Sequence, residues 1–285
     1  MKKILACTDA SDYARTVCRY TGWLAGLTGA SVDALYVSNL WEFELPFLLD
    51  LGGSIGASPY HGMTDALEEI ENKKAKLVEQ AVRREMADAG VEMDKLAIQH
   101  ETGLLVDAVD AYETGDSPVD MVVLGKRGEG AEQAKDHLGG NLERVVRAAR
   151  QPCLVTNLEY REIKKAALAY DGSASAQKAV DWLIAETALR DIALSVVTVS
   201  DGHGDNESAH SLRVAEGRLE DAGISAEAHL LTGDTEDEIA KFVEGNDIDL
   251  LIMGAYGHSR IRELLIGSTT TDLIRRCKIP VMLFR

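Results

Sequence analysis

GAYGHSRIRELLIGSTTTDLIRRC, Gly254 to Cys277, follows the apolar run DLLIM (Asp249 to Met253) and leads to Pro280 and a second apolar run, VMLF. A short, bounded apolar run of this kind reads as a buried strand of a parallel sheet. Gly254 ends the strand, and Gly257 lets the backbone turn tightly and approach another group, because a residue without Cβ tolerates positive φ and close contact. After nine intervening residues come Gly267 and Ser268, then Thr269, Thr270 and Thr271, which read as the first turn of a helix continuing through Leu273, Ile274 and Arg276. The first amides of a helix lack intrahelical acceptors, so they, the helix dipole and the hydroxyls beside them favour an anion. Two glycines and a serine alone would equally describe a plain loop with a capping residue. The strand before, the helix after and the strand beyond shift the reading to a phosphate cradle. It is not a Walker loop, because no Lys follows Gly267 and the spacing differs. Phosphate charge would be balanced by amides, hydroxyls, a metal ion, or the neighbouring His258, Arg260 and Arg262.

The chain states one plan twice. KKILACTDAS opens it and KKAALAYDGS begins at Lys164, each with two lysines, an apolar run, and an Asp and a small residue before Ser. An internal repeat is therefore the first architectural expectation. Asp9 pairs with Asp171 and Val37 with Val199, both 162 residues apart, whereas Gly103 and Gly233 are 130 apart and Pro152 and Pro280 are 128 apart. The spacing falls by 32 between the second pair and the third, so the first half carries that many extra residues between Val37 and Gly103. Two domains are expected, 1–158 and 163–285, with an insertion at about 40–70 in the first.

Ala14, Val17, Cys18, Thr21 and Ala25 recur at helical spacing after Ser11, read as an N-cap, and lead by a right-handed crossover to the strand SVDALYVS. The insertion, from about Leu40 to Thr64, is apolar and then rich in Gly, Ser and Pro. It reads as a loop or short helices over a neighbouring surface, or as a lid for a ligand or partner. A charged amphipathic helix from Asp65 to Ala89 follows, then the strand KLAIQHETG, a helix from about Leu104 and the strand VDMVVLG. The second half alternates strands and helices in the same order, with helices at 174–188, 208–222 and 235–244. Such alternation implies an α/β fold of two tandem doubly wound, Rossmann-like parallel sheets, with ligands at the carboxyl ends of strands near a switch in strand order. Asp171 and Gly254 both stand at such ends.

Gly254-x2-Gly257-x9-Gly267-Ser268, with Asp171 ending a strand about one domain upstream, resembles the nucleotide-binding motif of the universal stress protein family. The resemblance covers nearly all of both halves apart from the insertion. It implies a cytoplasmic ATP-binding stress regulator, with Asp171 beside the adenosine and Val199 offering backbone hydrogen bonds to adenine. Gly254, Gly257, Gly267 and Ser268 would surround the phosphates, with Thr269 and Thr270 as further donors and His258 as a phosphate ligand. It also implies that the halves form an intrachain pseudo-dimer through their last strands, 153–156 and 281–284, leaving a homodimer of chains open. ATP is the expected cofactor, and whether Mg accompanies it is left open. The Asp171 carboxylate suits a ribose hydroxyl, although capping the next helix would use the same side chain.

The first half departs from the motif. Gly125-x2-Gly128 is kept, but ten residues precede Gly139, and Gly140 stands where the second half has Ser268. Glu129, Glu132 and Asp136 bring negative charge toward the phosphate position, which weakens binding unless they point away or a cation intervenes. A degenerate first site is expected around Asp9, Val37, Gly125, Gly128 and Gly139, with at most an adenosine-sized pocket.

At 285 residues and 46% hydrophobic composition, the chain can bury two ordinary cores. No apolar run reaches the roughly 18 residues of a membrane span, and MKKILACTDAS enters a strand directly, so no membrane partner and a cytoplasmic site are expected. The net charge of −17 argues against a nucleic-acid partner, which would need clustered Lys and Arg. Cys7, Cys18, Cys153 and Cys277 lack CxxC spacing and read as buried free thiols. His203, Asp205, Glu207 and His210 lie in one polar loop without a metal-site spacing and read as solvated. A slow ATPase or a phosphoryl- or adenylyl-transfer enzyme, with His258 as acid or base, is the alternative function, and a nucleotide-independent interaction module is a third. No Lys–Ser/Thr pair, carboxylate pair or Ser–His–Asp order can be assigned around Ser268.

Overall fold

The computed structural model describes residues 1–38, 61–129, 138–200, 202, 205–256 and 267–285. The expected segment at 39–60, Glu132, Asp136, His203, Gly257, His258, Arg260 and Arg262 lie outside the described residues.

The first half runs β1 (Lys3–Thr8), α1 (Ala14–Thr28), β2 (Ser31–Ser38), α2 (His61–Asp88), β3 (Leu96–Thr102), α3 (Leu105–Thr114), β4 (Met121–Gly125), α4 (Gly140–Ala148) and β5 (Cys153–Thr156). The second repeats it as β6 (Lys165–Ala169), α5 (Ala174–Ala185), β7 (Ala193–Ser200), α6 (Asp205–Asp221), β8 (Ala226–Thr232), α7 (Thr235–Gly245), β9 (Leu250–Gly254), α8 (Ser268–Arg276) and β10 (Val281–Phe284). All ten strands join one sheet in the order β3-β2-β1-β4-β5-β10-β9-β6-β7-β8. Every pairing is parallel except β5 with β10, where Val281 faces Val155 and Leu283 faces Cys153. The expected join between the last strands of the two halves is thus the seam of a continuous sheet, and the halves form an intrachain pseudo-dimer.

Apolar runs dictate this layering, because a strand of a covered parallel sheet must bury both faces. Ile4 and Ala6 point to one core with α1, α2, α5 and α6, and Leu5 and Cys7 point to the other with α3, α4, α7 and α8. All four cysteines are buried and free. Burial pushes the Cys7 and Cys18 thiols up to about 12 and Cys277 to about 11, so none is a reactive thiolate near neutral pH.

The duplication extends to unusual backbone. Gly103 and Gly233 adopt φ of 143° and 146°, a region that favours glycine, and their amides donate to Ser38 and Ser200 carbonyls, both at 3.0 Å. Asp120 receives the amides of Lys2 and Lys3, and Asp249 those of Lys164 and Lys165, so each half fastens the start of its first strand alike.

Three helix starts and one end differ from the expectation. Ser11 does not cap α1: its amide and hydroxyl both donate to Asp9 Oδ1, at 2.9 and 2.5 Å, and the helix begins at Ala14. Ser173 does cap α5, accepting from the Ala176 amide at 3.3 Å. Helix α2 starts at His61, so the tail of the insertion belongs to it, and α6 starts at Asp205. Helix α5 stops at Ala185, where Glu186 turns the chain into a short 3-10 segment, Thr187–Leu189.

Candidate functional site

Within each half the chain leaves the first strand to build one side of the sheet and returns to build the other, so a crevice opens at the carboxyl ends of β1 and β4, and again at β6 and β9. A cavity occupies each crevice.

The first-half cavity measures about 290 Å³ and brings Asp9, Val37, Gly125, Gly128 and Gly139 together, with Gly140 and Asn141 of the first turn of α4. Two of its glycines leave no room for a side chain. A Cβ at Gly128 would lie 2.7 Å from Asp9 Oδ2, and one at Gly125 would lie 2.6 Å from Tyr13 Cβ. The loop closes over Asp9: Oδ2 accepts the Glu129 amide at 3.0 Å while Oδ1 holds Ser11. Burial raises the Asp9 carboxyl above its ordinary range, and the Ser11 and Glu129 donors oppose that rise.

Glu129 is one of the three acidic residues expected to repel phosphate, and at Glu129 a cation does intervene. Its Oε1 accepts the Ala10 amide at 3.2 Å, and its Oε2 pairs with Lys74 Nζ of α2 at 2.5 Å. Lys74 lies in turn 5.9 Å from the Tyr36 ring centre and 4.0 Å from Glu71. Nothing in the charged pattern of α2 singles out Lys74; only the fold shows which of its lysines reaches the loop.

The second-half cavity is smaller, about 100 Å³, and is lined by Asp171, Val199, Gly254 and Thr269, with Tyr170, Met253, Thr235 and Ile239. Residues far apart in the chain thus meet as their strand-end positions suggest. Asp171 Oδ1 accepts the Ser173 amide at 2.9 Å, the counterpart of Asp9 and Ser11. A Cβ at Gly254 would collide with the Ser175 hydroxyl, which itself donates to the Tyr256 carbonyl at 2.5 Å. Ser175 was not singled out in the sequence, although its place four residues after Asp171 is the available signal.

Gly267 caps α8 with φ −55°, and Thr271 makes the first helical hydrogen bond, to the Gly267 carbonyl at 2.9 Å. The amides of Ser268, Thr269 and Thr270 therefore have no acceptor within the helix. The two threonine hydroxyls are engaged elsewhere. Thr269 donates to Glu236 Oε1 at 2.7 Å, and the buried Thr270 donates to the Ala255 carbonyl at 3.2 Å. In this arrangement the turn offers its amides and Ser268 rather than those hydroxyls. Glu207 and His210 are exposed on α6, and no group of three His, Cys, Asp or Glu suited to a metal ion occurs among the described residues. No helix among the described residues is long and apolar enough to cross a membrane.

Comparison with known proteins places this geometry. The universal stress protein family matches the chain twice, over residues 1–157 and 162–285. The universal stress protein Slr1230 of Synechocystis is 41% identical over 292 residues, covering 100% of both chains. A crystal structure of a universal stress protein from Archaeoglobus fulgidus superposes with a TM-score of 0.72 at 22% identity, covering 99% of this chain and 98% of that one, which establishes the shared fold. A universal stress protein solved in complex with cAMP matches 44% of this chain and 98% of its own, at 26% identity and a TM-score of 0.38.

Proposed function

This chain belongs to the universal stress protein family, and from that membership and the site geometry we infer that it binds an adenine nucleotide, ATP being the preferred reading, in its second half. The observation that carries the reading is that Asp171, Val199, Gly254 and Thr269 line one cavity at the strand-order switch. Asp171 would face the ribose, Val199 the adenine edge, and Gly254, Gly257, Gly267 and Ser268 the phosphates. His258 would be a further phosphate ligand, and magnesium would enter with the triphosphate. The family context supports a cytoplasmic stress-response regulator in which bound nucleotide, not turnover, is the signal.

A second reading concerns the first half, whose cavity is the larger although its motif is the less complete. Typical ligand pockets begin at roughly 300 Å³. With Glu129 drawn off by Lys74 and the Ala10 amide, the 290 Å³ space between Asp9, Val37 and the start of α4 suits an adenosine-sized group.

Gly267→Val tests the phosphate assignment. Among the described residues an added Cβ meets only Thr270 Oγ1 at 3.5 Å and the Ala255 carbonyl at 3.6 Å, both ordinary contacts. Calorimetric titration of the folded variant with ATP should show the second-half binding lost, since the branched side chain stands where the phosphates approach. Undiminished affinity would remove Gly267 from the site, and steady multiple turnover by the wild type would favour the enzyme alternative.

A further inference from the structure

The two phosphate-facing helices, α4 and α8, are held at their far ends by side chains from the opposite half. Lys126 sits inside the first-half glycine loop, between Gly125 and Gly128, yet its side chain is buried and runs across the seam. Its Nζ donates to the carbonyl of Cys277, the C-cap of α8, at 2.5 Å. Arg285 does the converse: following β10, it donates from Nη1 to the carbonyl of Ala148, the last residue of α4, at 3.0 Å. A cation at the carboxyl end of a helix satisfies orphan carbonyls and complements the dipole whose positive end lies at the other terminus.

Lys126 is also fastened to its own glycine loop, and Arg285 directly follows the residue, Phe284, that holds the start of the other. The Lys126 carbonyl accepts the amide of Gly139, the N-cap of α4, at 3.1 Å, and its amide donates to Thr156 of β5 at 3.0 Å. One residue therefore holds the start of the first-half helix through its backbone and the end of the second-half helix through its side chain. The other half lacks a side chain to do this at the matching position, Ala255. There the Ala255 amide donates to the Phe284 carbonyl at 2.7 Å, and Arg285, the next residue, spans the seam. Residues at the start of each glycine loop are thus linked to the far end of the matching helix in the other half.

We propose that Lys126 and Arg285 are positioning residues that couple the two halves, so that a nucleotide seated in one half tightens binding in the other. The proposal rests on the nucleotide reading above. The coupling is reciprocal, as any linkage between two binding equilibria must be.

The experiment uses the full chain and a photoreactive azido-ATP, with labelled peptides assigned to residues 1–157 or 162–285 so that each half reports separately. Lys126→Met should shift second-half labelling to about fivefold higher nucleotide concentration, and Lys126→Arg should restore most of it. Arg285→Gln, at an exposed side chain, should shift first-half labelling in the same direction, and it keeps the test available if Lys126→Met fails to fold. A lowered melting temperature with superposable labelling curves in both halves would mean structural capping only, and would overturn the coupling. Absence of label from both halves of the wild type would overturn the nucleotide reading itself and the coupling with it.

Discussion

At Lys126 a lysine of the first-half glycine loop is buried against the opposite half. Burial lowers its ammonium from 10.5 to about 8; Cys277 opposes that fall and the neighbouring Arg127 adds to it. Below pH 8 the lysine is charged in both folded and unfolded chains, and the cost of burying the charge is fully present. Between about 8 and 10.5 the folded chain releases the proton while the unfolded chain keeps it, so stability rises with pH. The raised thiols at Cys7, Cys18 and Cys277 act in the opposite sense above pH 9, since the folded chain then holds protons that the unfolded chain loses. The difference between wild type and Lys126→Met isolates the lysine, with allowance for its electrostatic interaction with the Cys277 thiol. Urea unfolding should show the wild type gaining on the variant between pH 7.5 and about 10.5, with a plateau on the order of 3 kcal/mol. A difference independent of pH would mean that Lys126 is not held as described.

Among the elements, the central strands are legible because most are short apolar runs with turn residues at their ends, and in a sheet covered on both faces such runs have no other place to go, whereas the edge strands β3 and β8 are mixed and largely exposed. Helix starts were less legible. Ser11 and Ser173 stand at equivalent positions after equivalent aspartates, but only Ser173 caps a helix; the Ser11 hydroxyl donates back to Asp9, whose other oxygen is held by the Glu129 amide. That clasp on Asp9 comes from a loop more than a hundred residues away, which no local pattern encodes. The Thr269 and Thr270 hydroxyls are a similar case: a threonine run at a helix start suggests anion donors, and packing against Glu236 and the Ala255 carbonyl engages them. The antiparallel seam followed from resemblance alone, since β5 and β10 are each four buried residues that would fit any central position. It is testable at this scale. Residues 162–285 expressed alone would leave β10 without β5 and expose an edge of four otherwise buried residues. Sedimentation should show concentration-dependent self-association; a strictly monomeric, soluble fragment would argue that the seam contributes little.

At the scale of the whole molecule, the duplication sets two crevices on one continuous sheet, and the halves have diverged in complementary ways. The first keeps the larger cavity behind a loop that is clamped to Asp9 and braced by Lys74, and the second keeps the complete glycine and serine spacing. The net charge of −17 gives no general attraction for a triphosphate, so on the proposed reading recognition would fall to local donors: helix-turn amides, close-packed glycines and nearby cations. The sequence marked the close-packed glycines, and Gly128 and Gly254 each meet a neighbour that forbids a side chain. It did not show which charges neutralise one another across the fold. The most direct test is a crystal structure of the full chain grown with excess ATP. The account predicts an adenylate in the second half, its ribose at Asp171, its adenine beside Val199 and its phosphates over the amides of Ser268 to Thr270. Density for the nucleotide at any other place, with that crevice empty, would contradict it.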